Sequence, residues 1–486
     1  MSYLLGIDQS TQSTKAILFD GEGNMLRRAD AAHRQIVNGK GWVSHDPEEI
    51  YGNVLKAVRE AVNQAGISGE EIAAVGISNQ RETTVLWDRT GRPLADAVVW
   101  QCGRAEDIAR RLRDKAHMIY EKTGMPLSPY FPACKMAWLK EHVMPGPDAC
   151  FGTVDSWLLY RLTGGEAYLT DYSNASRTQL FDIETLEWDR ELCGLFGISV
   201  DCLPEVRDSN GCFGYTDFQG FLKHKIPVLA VLGDSHAALF GQGCRRKGMA
   251  KATYGTGSSI MMNIGGEPVR SRAGLATSLA WRIDGKAEYV LEGNINYTGA
   301  VVTWLKEDMG LIASPGETAD LAQRANSADR TVLVPAFTGL SAPYWKEDAR
   351  ALLWGMSRTT GRAEVVRAAL DSIACQVADV LNAMEQDCGE AVRELRVDGG
   401  PAGNPYLMQF QSDLTGAAVR AAEREEISAL GAAYLAGIAA GIYDREKVFA
   451  KMRYREYRPA MPFEERKERY GRWREAVRLV LQGETV

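Results

Sequence analysis

The chain has 486 residues, 45% of them hydrophobic and 24% charged, with 56 basic against 63 acidic side chains and a formal net charge of −7. That length calls for two or more domains of about 100–200 residues each, and the composition excludes a disordered tail, a collagen-like repeat or a highly charged coiled coil. The mild acidity supplies no basic face for nucleic acid, and no run approaches about 18 apolar residues, so neither a nucleic-acid nor a membrane partner is expected.

The N-terminal run lacks a basic stretch ahead of it and is broken by Asp8, unlike a secretory signal. It reads as a strand over 3–7, a polar turn over 8–14, and a second strand over 15–19. A helix is predicted over 46–65. Asp46 suits its N-cap and Pro47 its first position; Glu48 and Glu49 suit the positive end of the dipole, and Gly66 suits the stop. Ile50, Val54, Val58 and Val62 recur every four residues as its buried stripe. Strands follow over 72–77, 85–87 and 97–100, so strands and helices alternate and an α/β architecture is expected. A second strand-rich block opens near Pro227: a strand over 228–232, a small-residue helix from Ala237, then strand, Gly/Thr/Ser turn and strand over 249–264. This echoes residues 3–20 in pattern, though hardly in identity, and suggests two domains on one plan. Apolar spacing at Val365, Ala369, Ile373 and Val377 predicts a helix over 364–384, and 464–481 reads as a solvated amphipathic helix. The nine cysteines are odd in number and form no CxxC, as expected for reduced thiols in a cytoplasmic protein.

Three polar turns follow apolar strands: 8–14, 253–258 and Asp398-Gly399-Gly400. Their amides could cradle phosphate, with a nearby carboxylate holding hydrated Mg²⁺; taken singly, each reads more readily as a plain turn in which Asp or Ser bonds its own backbone, and three of them across both halves shift the balance toward a nucleotide held between domains. There is no P-loop, no strand-following GxGxxG with a downstream acid, no zinc spacing and no GxSxG elbow. Asp234 ends a buried strand, where it suits a general base in a cleft or the N-cap of the following helix. Arg81 and Glu82 could bond substrate hydroxyls or only each other. Trp100 and Tyr130 offer ring faces to a small polyol or sugar, or belong to the core.

Two longer stretches carry a resemblance. Residues 130–142, from Tyr130-Phe131-Pro132 to Glu141-His142, and residues 351–371, from Ala351-Leu352-Leu353 to Asp371, resemble both signature regions of the FGGY carbohydrate kinases. Ser78-Asn79-Gln80-Arg81-Glu82-Thr83-Thr84, the stretch 170–178, Gly248-Met249-Ala250-Lys251 and Thr253-Tyr254-Gly255-Thr256-Gly257 narrow the resemblance to the glycerol kinases within that family, over essentially the whole chain. It implies two ribonuclease-H-like (actin/hexokinase-type) domains flanking a catalytic cleft, expected at 1–224 for the polyol and 225–486 for ATP. The implied reaction is ATP- and Mg²⁺-dependent phosphorylation of a terminal hydroxyl, with Asp234 as base and Asp8 near the metal. Thr11 would sit in the phosphate turn. Arg81, Glu82, Trp100 and Tyr130 would line the substrate pocket, and Thr256, Gly257, Gly339, Gly400 and Asn404 would contact ATP. A homodimer or homotetramer is the assembly the resemblance allows.

The departures bear on the acceptor. The usual Asp-Gln-Gly-Thr-Thr-Ser-Ser-Arg turn has Ser10, Gln12 and Lys15 in place of Gly, Thr and Arg, which exchanges a guanidinium fork for a point charge at the phosphate. Asp-Gln-Gln becomes Asp234-Ser235-His236, and an expected pocket phenylalanine is Asn296. A pocket shortened at Ser235 and made polar at Asn296 suits a tetritol, pentitol or pentulose, while the retained Arg81-Glu82, Trp100 and Tyr130 suit glycerol. A non-catalytic, actin-like nucleotide-binding regulator is the remaining alternative.

Overall fold

The computed structural model describes residues 2–483. Its two largest sheets repeat one plan. In the first, Met25–Ala32, Ser13–Phe19 and Tyr3–Gln9 form an antiparallel meander, and Ile72–Asn79 and Ile226–Gly233 then add in parallel. In the second, Lys286–Ile295, Ser258–Gly265 and Ala250–Tyr254 form the meander, and Glu394–Asp398 and Ala418–Ala422 add in parallel. This is the ribonuclease-H-like plan twice over, and it explains why residues 3–20 and 249–264 echo one another in pattern.

Local chemistry accounts for the elements. The helix Pro47–Ala65 starts where Asp46 accepts a hydrogen bond from the Glu48 amide and stops at Gly66, which is left-handed at φ 65°. Ile50, Val54, Val58 and Val62 are all buried, against the first sheet. Arg362–Cys388 is a single helix of 27 residues. The C-terminal helix Phe463–Gln482 differs from its expected solvated character, because Trp473, Ala476 and Val477 are buried. The Trp473 indole donates to Asp379 Oδ2 at 2.7 Å, so a narrow apolar stripe with one polar anchor docks an otherwise charged helix.

The two halves meet where backbones touch. Helix Ile427–Ala439, late in the chain, packs on the first sheet and crosses Asp234–Gly241. The approach is too close for side chains: a Cβ on Gly431 would lie 1.9 Å from the Ala237 carbonyl oxygen, and one on Gly76 would lie 2.1 Å from that of Ala432. A shared apolar core, including Leu4, Leu232, Met261, Val290 and Leu430, fills the space between the sheets. The boundary expected at 224/225 falls just ahead of Ile226–Gly233, a strand that pairs within the first sheet. We propose that the first domain extends through Gly241. Strand pairing of Ile226–Gly233 with Ile72–Asn79 is a non-local choice that the apolar run alone does not reveal.

Parallel pairing also sets up the site. Asp8 pairs with Ser78, and Gln9 and Gly233 both pair with Asn79, so three strands end together and their next residues emerge at one edge. Strand ends bear ligand sites in open α/β sheets for this reason. All nine cysteines are free, and among the described residues no helix is long and apolar enough to cross a membrane. Gly76→Ala forces a methyl against backbone and should cost about 1–3 kcal/mol or more, read as a fall of several degrees in the thermal midpoint; an unchanged midpoint would refute the close-approach argument.

Candidate active site

Asp234 is the first residue of its helix, capped by Gly233, so its side chain is not the N-cap. Its Oδ1 accepts from the Ser235 amide at 2.6 Å and from Arg81 Nε at 3.1 Å. Among the described residues Oδ2 takes no hydrogen bond, and the side chain is 34% exposed, so one lone-pair face remains open to the cleft.

Behind it lies a buried charge network. The Arg81 fork closes on Glu292, with Nη1 to Oε2 at 2.8 Å and Nη2 to Oε1 at 2.9 Å. Arg177 Nε donates to Glu82 Oε1 at 2.6 Å, and Arg177 Nη1 lies 2.7 Å from Glu292 Oε2, off the line of a hydrogen bond and so an ion pair. Ser259 Oγ donates to Glu292 Oε1 at 3.0 Å. Burial alone would raise the Glu292 carboxyl, but the Arg177 and Arg81 guanidinia reverse this and hold it well below the carboxylate range. Glu82 sits at φ 61°, an uncommon conformation for a non-glycine residue and one that clusters at functional sites.

The aromatic wall is present. Trp100 and Tyr130 meet edge-on with ring centroids 5.5 Å apart. The Trp100 indole donates to Thr11 Oγ1 at 2.9 Å, which ties this ring pair to the first polar turn. The Tyr130 hydroxyl is pushed far up by burial and stays neutral. Ser235 is half-buried beside Asp234, whereas Asn296 lies just past the strand Lys286–Ile295, exposed and outside the network.

Two cavities share Gly400 and Gly403 and so adjoin. One, of about 740 Å³, is lined by Asp8, Lys15, Asp398, Gly399 and residues 423–428. The other, of about 560 Å³, is lined by Gly299, Val302, Thr303, Thr318, Leu370, Asn404 and Leu407. In the first, carboxylates outnumber the basic groups Lys15, Arg424 and Arg455, whereas the lining of the second is largely apolar. Asn404 caps helix Pro405–Thr415 and donates to Thr318 Oγ1 at 2.9 Å. The turn bearing Thr256 and Gly257 packs on the start of helix Gly299–Glu307, with Thr256 exposed and its carbonyl accepting from the Thr298 and Ala300 amides. Gly339 lines neither cavity: it turns at φ 84°, where a Cβ would lie 2.6 Å from the Glu347 carbonyl oxygen. Gly299 and Thr303 take its expected place in the apolar chamber, a pairing hidden in sequence because no strand–turn signal marks them.

Asp8 fits a hydrated divalent cation. Burial raises its carboxyl to about 6, partly offset by Lys15 and by the Ser78 hydroxyl, which donates to Oδ1 at 2.8 Å. Among the described residues no cluster of three metal-ligating side chains exists, as suits Mg²⁺, which takes one or two carboxylates together with phosphate and water. Gln12 is exposed at the turn. Lys15 is paired at 2.6 Å with Glu426, itself left-handed at φ 59°, so a phosphate would have to share that ammonium. Lys251 and Lys135, both fully buried, escaped the sequence reading of the site. Burial lowers both ammonium groups, Lys135 to about 7; Lys135 donates to the Tyr130 carbonyl oxygen.

Twin ribonuclease-H-like sheets whose strand ends present a carboxylate, an arginine fork and a double cavity define a two-domain phosphotransferase. The N-terminal-domain model of the FGGY family of carbohydrate kinases matches residues 3–241, and its C-terminal-domain model matches residues 250–440. The chain is 44% identical over 490 residues to a glycerol kinase of Xanthomonas campestris, covering 99% of this chain and 98% of that relative. It is 45% identical to glycerol kinase 1 of Thermotoga maritima, covering 99% of each. The Plasmodium falciparum glycerol kinase structure with ADP superposes at a TM-score of 0.93 with 35% identity, over 100% of this chain and 99% of that one. The chain belongs to the FGGY family of carbohydrate kinases.

Asp8 carries a stability consequence. Its folded pKa, about 6, stands above its ordinary 3.8, so between those values the folded state holds the proton longer and stability falls as pH rises. Asp8→Asn should therefore raise the nucleotide-free protein's stability at pH 7 by up to about 3 kcal/mol, with the gain vanishing near pH 4. Denaturant melts at both values check this, and a gain equal at both would refute it.

Proposed function

We propose that the protein transfers the γ-phosphoryl group of ATP to a terminal hydroxyl of a small polyol, with glycerol giving glycerol 3-phosphate as the first acceptor. The observation that carries this is Asp234 at a strand end, one oxygen fixed by Arg81 and the other open to the cleft, in a chain that matches glycerol kinases over its full length. Oδ2 is placed to take the proton of the attacking hydroxyl, while Arg81 Nε holds Oδ1 and so keeps the carboxylate aimed. Glu82 and the ring faces of Trp100 and Tyr130 position the polyol, its hydroxyls on the charged side and its C–H edges on the rings. Asp8 and water would hold Mg²⁺, which supplies neutralising charge to the phosphates when bound. The apolar chamber at Gly299, Leu370, Asn404 and Leu407 takes the adenosine, and the amides around Gly400 and Gly403 face the phosphates. Phosphoryl transfer asks for this kind of positioning and charge balance more than for covalent chemistry, and closure keeps water from competing as acceptor.

A second acceptor reading rests on Ser235 and Ser259. Both are short polar side chains adjoining the Asp234–Arg81–Glu292 line, and they leave room for a four- or five-carbon chain with further hydroxyls. Turnover of glycerol, tetritols, pentitols and pentuloses at matched concentrations, followed by ADP release, separates the two. Asp234→Asn should lower kcat by at least about 100-fold, and near-normal turnover would remove it as the base. Ser235→Gln should shift relative kcat/KM toward glycerol by about tenfold; an unchanged ratio would refute the pocket-length argument.

A further inference from the structure

The arginines on the acceptor side are gripped from the opposite side of the cleft. Arg81 follows the strand Ile72–Asn79 of the first sheet, and Arg177 lies in the same half of the chain; Glu292 belongs to Lys286–Ile295 of the second sheet. Its side chain is fully buried. One oxygen faces Arg81 Nη1 at 2.8 Å and Arg177 Nη1 at 2.7 Å; the other faces Arg81 Nη2 at 2.9 Å and Ser259 Oγ at 3.0 Å. The planar fork holds the whole guanidinium in one orientation, and that orientation sends Nε to Asp234 Oδ1 at 3.1 Å. The aim of the base is thus set by a carboxylate that never touches it.

The charge count points the same way. Without Glu292, two buried guanidinium groups would keep only Glu82 and the half-exposed Asp234 as counter-charges, and Arg81 would lose both bonds of its fork. Any separation of the two sheets at this point would do the same, because Glu292 belongs to the second sheet. Nothing comparable links Glu292 to the nucleotide chambers: neither cavity includes it.

We propose that Glu292 is the positioning residue that assembles the acceptor site across the cleft, gripping Arg81 and Arg177 so that the polyol pocket is complete only when the two halves are closed. This rests on the kinase reading above. It makes acceptor affinity, rather than nucleotide affinity, the quantity tied to closure.

Glu292→Gln keeps the volume and removes the charge. The KM for the best polyol should rise at least about tenfold while the KM for ATP stays within about twofold. Small-angle scattering with a non-hydrolysable ATP analogue and polyol should show compaction in the parent and a larger radius of gyration in the variant. A residue that served only the fold would lower the active fraction, and so kcat, without this split. Should Glu292→Gln fail to fold, Glu292→Asp, which keeps the charge but shortens the reach, decides by a polyol KM raised at least about threefold with the ATP KM unmoved. Equal changes in both KM values, or a polyol KM within twofold of the parent together with unaltered compaction, would overturn the proposal. Were the parent to phosphorylate no polyol, the kinase reading would fall, and the scattering comparison would still decide whether Glu292 holds the halves together.

Discussion

A carboxylate with no water around it has to be surrounded by counter-charge, and Glu292 finds that charge on the other half of the chain. Two guanidinium groups, two glutamates and a serine hydroxyl satisfy one another in a site where only Asp234 keeps an open edge. Removing one partner of such a buried cluster typically costs about 3–5 kcal/mol, because the others are left unpaired in low dielectric. The geometry of the edge at Asp234 is therefore inherited from a network that lies behind it.

The apolar framework serves that arrangement. Three parallel strands end in register, so Asp8, Arg81 and Asp234 emerge from one edge rather than from three. The second sheet repeats the plan, and its strand Glu394–Asp398 ends in a carboxylate followed by a glycine turn, Gly399-Gly400, at the charged cavity. The difference between the two halves is thus one of side chains on a common scaffold.

Much of this was legible in the amino-acid order. The helix Pro47–Ala65 could be read because its cap, dipole charges, apolar stripe and stop all agree. Asp234 could be read because a carboxylate closing an apolar strand is conspicuous. Glu292 was not, because a single acid inside Val290-Leu291-Glu292-Gly293 looks like a surface residue until the sheet is known to be covered on both faces; Lys251 and Lys135 hid in the same way. The pairing of Ile226–Gly233 with Ile72–Asn79 was not legible, because strand partners are chosen over a long stretch of chain. Asn296 was drawn toward the pocket by its motif, but the strand stops one residue earlier and leaves it exposed. Gly339 illustrates the converse: a positive φ needs glycine for a loop as readily as for a ligand.

The helix crossing near Gly431 has one more implication. The contact is made of carbonyl oxygens and α-carbons, so its shape depends on the absence of side chains and not on their identity. On the proposed kinase reading, acceptor choice rests instead on side chains such as Ser235 and Ser259. Single side-chain exchanges could therefore alter the pocket while this backbone crossing stays as it is, since the crossing tolerates no side chain at all.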